Sequence, residues 1–172
     1  MSNEITAASK RAPKSKPSRP VQVRLNHRIS RKKFARLAFL NFPPDSGGLW
    51  FSLDFKFFRK QFGRYPTKEE ATLYYQRYIR IVRAIYEKHG IDVRYMTVRQ
   101  RGKKSGRIHY FGLISGVPDG VSRAEIEKPW LAGYGNVYGL QWLDNSIDGL
   151  IYRFFDDDMD VSWFCSQNLK RE

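Results

Sequence analysis

The sequence predicts an α+β domain, an antiparallel sheet built in the order β-α-β-β-α-β. Three observations carry this. Four apolar, aromatic-rich runs have strand character, a capped stripe of apolar residues separates the first two, and a glycine-containing basic turn joins the middle pair. Helices are expected on one face of the sheet, with one further helix at the C-terminal end and a basic tail at the N-terminal end. The domain is expected over 38–172, and residues 1–37 as a disordered tail.

The elements follow in order. Pro43-Pro44-Asp45-Ser46-Gly47-Gly48 is a turn signal, and Trp50-Phe51-Ser52-Leu53-Asp54-Phe55 alternates after it as a strand. Thr67-x-x-Glu70 is a capping box with Pro66 just outside, so a helix begins there. Ala71, Tyr75, Tyr78, Val82 and Ile85 supply its buried stripe, and Gly90 its stop. Val93–Gln100 and Arg107–Ser115 read as the second and third strands. Ser122-x-x-Glu125 opens a short helix reaching Trp130, Asn136–Leu143 is a fourth strand, and Asn145 or Ser146 caps a last helix through Phe155. This succession is the split βαβ, ferredoxin-like arrangement. Residues 24–37 are a transition with room for an edge strand or a short helix.

Composition narrows the function classes. A 172-residue chain that is 41% hydrophobic and 15% aromatic can bury a core of its own. No apolar run approaches the ~20 residues of a membrane span, and no apolar leader of the secretory type is present. Cys165 is the one cysteine, so no disulfide framework is expected. The expectation is a soluble intracellular protein with no membrane partner.

The net charge of +14 is uneven. Residues 1–37 hold 11 of the 31 Lys and Arg against one acid, Glu4, which is +10. Lys10, Arg11, Lys14 and Lys16 lie in this segment, followed by Arg31, Lys32 and Lys33. Such an arm binds polyphosphates by releasing counterions, or else serves as a solubilising or targeting extension. Arg101, Lys103, Lys104 and Arg107 form a second basic group in the hairpin turn, which favours contact with nucleic acid.

Three places carry possible chemistry. His109 and Phe111 share a face of the third strand, with Gln100 opposite on the second. His109 and Gln100 are thus candidate ligands for Mn²⁺ or Mg²⁺, or His109 is a hydrogen-bonded sheet residue. Tyr152, in an apolar helix, is a candidate nucleophile toward a phosphodiester, or a core aromatic. Asp156, Asp157, Asp158 and Asp160 form an acidic run, read as solvated and facing the basic tail, with an additional metal ligand as the other use.

Gln100-x-Gly102 with Gly106-Arg107-Ile108-His109-Tyr110-Phe111-Gly112-Leu113 resembles the central motif of the HUH rolling-circle replication initiators. These are the Rep endonucleases of small single-stranded DNA phages, viruses and plasmids. Phe51–Phe55 and Pro66–Ala71 resemble the family's first motif and its following helix. Trp130, Gly135-Asn136-Val137, Ile151-Tyr152 and Ser162–Leu169 resemble the run into and past the catalytic tyrosine, so the resemblance spans residues 50–169 in order.

The resemblance implies a ferredoxin-like catalytic domain with a metal held by His109 and Gln100. It implies that Tyr152 cuts one strand at an origin and stays linked to the 5′ phosphate, freeing a 3′ hydroxyl. Single-stranded or origin DNA and a host polymerase and helicase would be the partners, in a prokaryotic cytoplasm. Three positions depart from the pattern: Phe111 stands at the second histidine, Phe155 and Asp156 where a lysine follows the tyrosine, and Gln100 is neutral. The sequence therefore supports a nicking initiator, or a Rep-like DNA-binding accessory, regulator or decoy without cleavage. An RNA-binding module ranks behind both, because the third strand lacks the base-stacking aromatic run of such sheets.

Overall fold

The structure is a computed structural model that describes residues 18–142 and 146–171. Its elements are α1 (Arg19–Asn41), β1 (Leu49–Leu53), α2 (Lys56–Phe62), α3 (Lys68–Glu87), β2 (Tyr95–Gly102), β3 (Ile108–Ile114), α4 (Arg123–Glu127), β4 (Gly135–Gly139), α5 (Asp148–Phe154) and β5 (Met159–Cys165). The strands form one antiparallel sheet in the order β4-β1-β3-β2-β5. The β4-β1-β3-β2 portion, with α3 and α4 as crossovers, is the ferredoxin-like α+β arrangement.

Local chemistry explains the main crossover helix. The Thr67 hydroxyl accepts from the Glu70 amide at 3.2 Å, and the Glu70 carboxylate accepts from the Thr67 amide at 2.8 Å. Both orphan donors at the helix start are thereby satisfied. Ala71, Tyr75, Tyr78, Ile79, Val82 and Tyr86 are buried along one stripe, with Ile85 at its margin. Gly90 takes the left-handed conformation, φ 71°, just after the helix ends.

Strand alternation divides the interior in two. Ile108, Tyr110 and Ile114 of β3 pack with Phe51, Leu53 and Val137 beneath α2, α3 and α4. Met96, Val98 and Leu113 point the other way, against Phe34 and Ala38 of α1 and Ile151 and Phe154 of α5. Gly112 allows this sheet to close, because a side chain there would collide with the Phe51 ring and the Met96 carbonyl. The helices of the βαββαβ unit lie on one face as expected; α1 and α5 cover the other.

Several sequence expectations need correction. Residues 19–37, assigned to a disordered tail with room for a short element over 24–37, lie in a helix that runs from Arg19 to Asn41. Phe34 is fully buried, with edge contacts to Phe154, Phe155 and Trp163 at centroid distances of 6.1, 5.3 and 5.6 Å. Basic residues dominate the rest of α1, and its apolar face is confined to the last two turns, so no helical period stood out. The short helix α2 and the edge strand β5 were not anticipated. β4 ends at Gly139 and α4 at Glu127, both earlier than expected. Leu143 and Asn145 lie outside the described residues, as do Lys10, Arg11, Lys14 and Lys16. Among the described residues, no helix is long and apolar enough to cross a membrane.

Candidate functional site

The β2–β3 ladder sets Gln100 opposite His109. The turn between them closes through Gly102 N–H to the Arg107 carbonyl (2.8 Å) and Gly106 N–H to the Gly102 carbonyl (2.9 Å). Gly106 adopts φ 67°, a conformation that favours glycine. Both side chains lie on the α5 face of the sheet. The Gln100 amide nitrogen donates to the Arg153 carbonyl at 2.6 Å, which ties the end of α5 to the sheet.

His109 is half-buried, and its ring lies parallel to Phe111 at 5.9 Å and 14°. Phe111 in turn stacks on Phe154 at 5.5 Å and 17°. Desolvation lowers the His109 pKa from 6.5 to about 4, aided by the Arg107 charge and opposed by Asp54. The imidazole is therefore neutral at pH 7, as a metal ligand must be.

The remaining donors do not fit a resident Mn²⁺ or Mg²⁺. These hard cations take mainly carboxylate and other oxygen ligands. Here an imidazole and a neutral amide stand together, and the phenyl ring of Phe111 fills the next position on that face. Asp54, the nearby carboxylate, has Oδ1 engaged by the Lys56 and Tyr134 amides at 3.0 and 2.8 Å. Among the described residues, no three His, Cys, Asp or Glu side chains converge.

Tyr152 is not a core aromatic, the alternative to its reading as a nucleophile. It is 61% exposed on α5, and the Arg31 guanidinium of α1 lies 4.9 Å above its ring. Among the described residues, no hydrogen bond or ring contact joins it to His109 or Gln100. Phe155, standing where a lysine would follow, is a buried partner of Phe34. Packing against α1 thus accounts for an aromatic side chain at this position.

The acidic run forms the turn into β5, with the Asp156 carboxylate accepting the Asp158 amide at 2.9 Å. Asp157 is a junction: its carboxylate lies 3.6 Å from His27 of α1, and its carbonyl accepts from Lys103 Nζ of the hairpin at 3.0 Å. The two basic segments therefore meet. Lys32, Lys33, Lys103, Lys104 and Arg107 are exposed, while Arg31 and Arg101 are half-buried.

Sequence reasoning missed His27, which lines a small cavity of ≈ 200 Å³ with Arg24, Arg28, Arg31, Phe155 and Asp157. It also missed a groove of ≈ 510 Å³ between β4 and α5, whose lining includes Trp50, Leu150 and Arg153. Trp50 stacks on Tyr138 beside it, at 4.4 Å and 24°, and Tyr138 is 41% exposed. Trp50 and Tyr138 are β1–β4 partners, a register that the two strand sequences alone do not specify. Comparison of the chain with protein-family models, with curated proteins and with solved structures gives no match.

Proposed function

We propose that this chain is a DNA-binding protein of replication, Rep-like in its motif order, which engages single-stranded or origin DNA without cutting it. The observation that carries this is the Asp157 junction, where Lys103 of the hairpin and His27 of α1 meet at one residue. Basic residues far apart in sequence, on α1 and in the 101–107 turn, are drawn to the same turn, and the exposed Lys32, Lys33, Lys103, Lys104 and Arg107 around it are the side chains this reading assigns to phosphates. The poor metal donor set at His109 and Gln100 supports binding without cleavage. In this reading a host helicase and polymerase supply unwinding and synthesis, in a prokaryotic cytoplasm.

One observation favours a second reading, in which Tyr152 nicks the strand. Its ring is largely exposed beneath a guanidinium, where an incoming phosphate would meet positive charge. The phenolic oxygen would form the bond to phosphorus, the P–O3′ bond would break, and the 3′ oxygen would leave as a hydroxyl.

The test incubates supercoiled and single-stranded origin DNA with Mn²⁺ and either the wild type or Tyr152→Phe. Binding should be salt-dependent and alike in both, with no covalent product. A 5′-linked adduct in the wild type that is lost in Tyr152→Phe would replace the first reading with the second. Absence of salt-dependent binding would overturn both.

A further inference from the structure

A second basic feature lies on the α3 side of the sheet. Between the α2–α3 connection and the β2–β3 hairpin is a cleft of ≈ 510 Å³ whose lining includes Arg59, Arg64, Tyr65, Thr67, Arg101 and Ser105. We infer that this cleft holds one backbone phosphate of a bound nucleic-acid strand, gripped by Arg59 and Arg101. The inference rests on the DNA reading above and adds a specific point of attachment.

The arginines differ in what already neutralises them. Arg64 donates to both Glu70 carboxylate oxygens, at 2.7 and 2.8 Å. The Arg64 bond, then the Thr67 amide, hold the Glu70 carboxyl down to about 2, so its negative charge is already answered by Arg64. Arg59 lies over the Tyr65 ring at 5.0 Å and donates to the Tyr65 hydroxyl at 3.0 Å. That contact orients its guanidinium without supplying a counter-charge.

Arg101 is the more telling case. It follows Thr97 and Arg99 on the strand face turned to α3, where those two bond Tyr75 and Thr72. Its Nε is buried and has no hydrogen-bond acceptor. Asp160 is its ladder partner on β5, yet among the described residues neither Arg101 nor Arg59 makes an ion pair. The enclosed Nε leaves the outer end of the fork to meet a ligand: Nη2 lies beside Gly106, which lines the cleft, and carries a charge that no carboxylate among the described residues answers.

The hydroxyls around it complete a set of donors. Ser105 Oγ accepts from the Arg107 amide at 3.2 Å and Thr67 Oγ1 from the Glu70 amide at 3.2 Å. Each keeps its own O–H to donate. Two planar guanidinium forks and two hydroxyls match the acceptor-only oxygens of a phosphate. The open-sided cleft, in a chain of net charge +14, suits a phosphate carried on a polymer.

The test combines two titrations on the full chain, with Arg59→Gln/Arg101→Gln as the variant and Arg101→Lys as a charge-keeping control. Inorganic phosphate, followed by amide NMR, should shift Thr67, Ser105 and Gly106 saturably in the wild type and not in the double variant. A single-stranded oligonucleotide should bind the double variant more weakly, with the log–log salt slope flatter by about 0.7, one phosphate contact. Arg101→Lys should keep most of that slope.

Unchanged oligonucleotide affinity and slope in a double variant whose other amide signals match the wild type would overturn the cleft and leave the DNA reading standing. A wild type that binds no oligonucleotide would overturn the DNA reading and, with it, the strand as the source of the phosphate. Phosphate shifts that never saturate in the wild type would overturn the site itself.

Discussion

Gln100 and His109 face each other across the β2–β3 ladder, yet the Gln100 amide is bound to the Arg153 carbonyl at 2.6 Å. The pair that a Rep-like motif would use for a metal here joins helix α5 to the sheet. His109, Phe111 and Phe154 continue the same contact as a ring stack. Aromatic packing has the position that a second imidazole would need.

A metal titration checks this directly. Mn²⁺ should give no saturable binding to the wild type by calorimetry and no selective broadening of His109 signals. Phe111→His adds an imidazole beside His109 and should gain measurable Mn²⁺ binding. It should also lose about 0.5–1.5 kcal/mol of stability, because the Phe111–Phe154 stack is broken. Saturable Mn²⁺ binding by the wild type would restore the metal-site reading.

Stability should fall on mild acidification through His109. Its folded pKa, about 4, lies below the ordinary 6.5, so the folded state prefers the neutral ring. The contribution is full above pH 6.5 and is lost as pH falls toward 4, since the unfolded chain takes up a proton first. Between those limits the slope from this group is at most about 1.4 kcal/mol per pH unit. Denaturant unfolding at pH 7 and pH 5, for the wild type and His109→Gln, reads the difference. Equal pH dependence in the two proteins would remove His109 as the cause.

Two buried tyrosines should respond oppositely to loss of their hydroxyls. Tyr75 Oη and Thr97 Oγ1 are 2.6 Å apart in the core. Tyr75→Phe leaves the Thr97 hydroxyl without its partner and should cost about 1–3 kcal/mol. The Tyr78 hydroxyl is buried without a partner, so Tyr78→Phe should be neutral or stabilising by up to about 1 kcal/mol. Thermal and urea unfolding of both variants provides the comparison.

Truncation should separate the charge of the N-terminal segment from the packing of α1. Deleting residues 1–17 removes Lys10, Arg11, Lys14 and Lys16 but none of α1, which starts at Arg19. The melting temperature should hold while the salt slope of DNA binding flattens. Phe34→Ala, by contrast, should cost about 3–5 kcal/mol, because this ring is fully buried against Phe154, Phe155 and Trp163. A deletion of 1–37 would mix the two effects.

Local signals made the βαββαβ order legible from the sequence. The Thr67–Glu70 box, the Ala71–Val82 stripe, the glycine turn and the alternating strands depend on neighbours within a few residues, and each is present in the expected order, with β2 shifted by two residues and β4 shortened. What the sequence left open was long-range. α1 is defined by Phe34 and Ala38 meeting α5 and β5, partners more than a hundred residues away, while its basic side chains mask any period. β5 pairs with the open edge of β2, and although Met159-Asp160-Val161-Ser162-Trp163 alternates as a strand does, the edge it joins is set by tertiary structure.

The candidate site divides in the same way. Sequence alone determined that His109 shares a face with Phe111, because strand side chains alternate, and that Gln100 stands across a short hairpin from it. Only the tertiary structure decided where those side chains point. α5 docks on that face and takes the Gln100 amide and the Phe111 ring as its own packing partners. α1 docks beside α5 and puts Arg31 over Tyr152. Hydrogen-bond donors and ring faces have finite capacity, so the helix that covers a strand motif determines what chemistry the motif keeps.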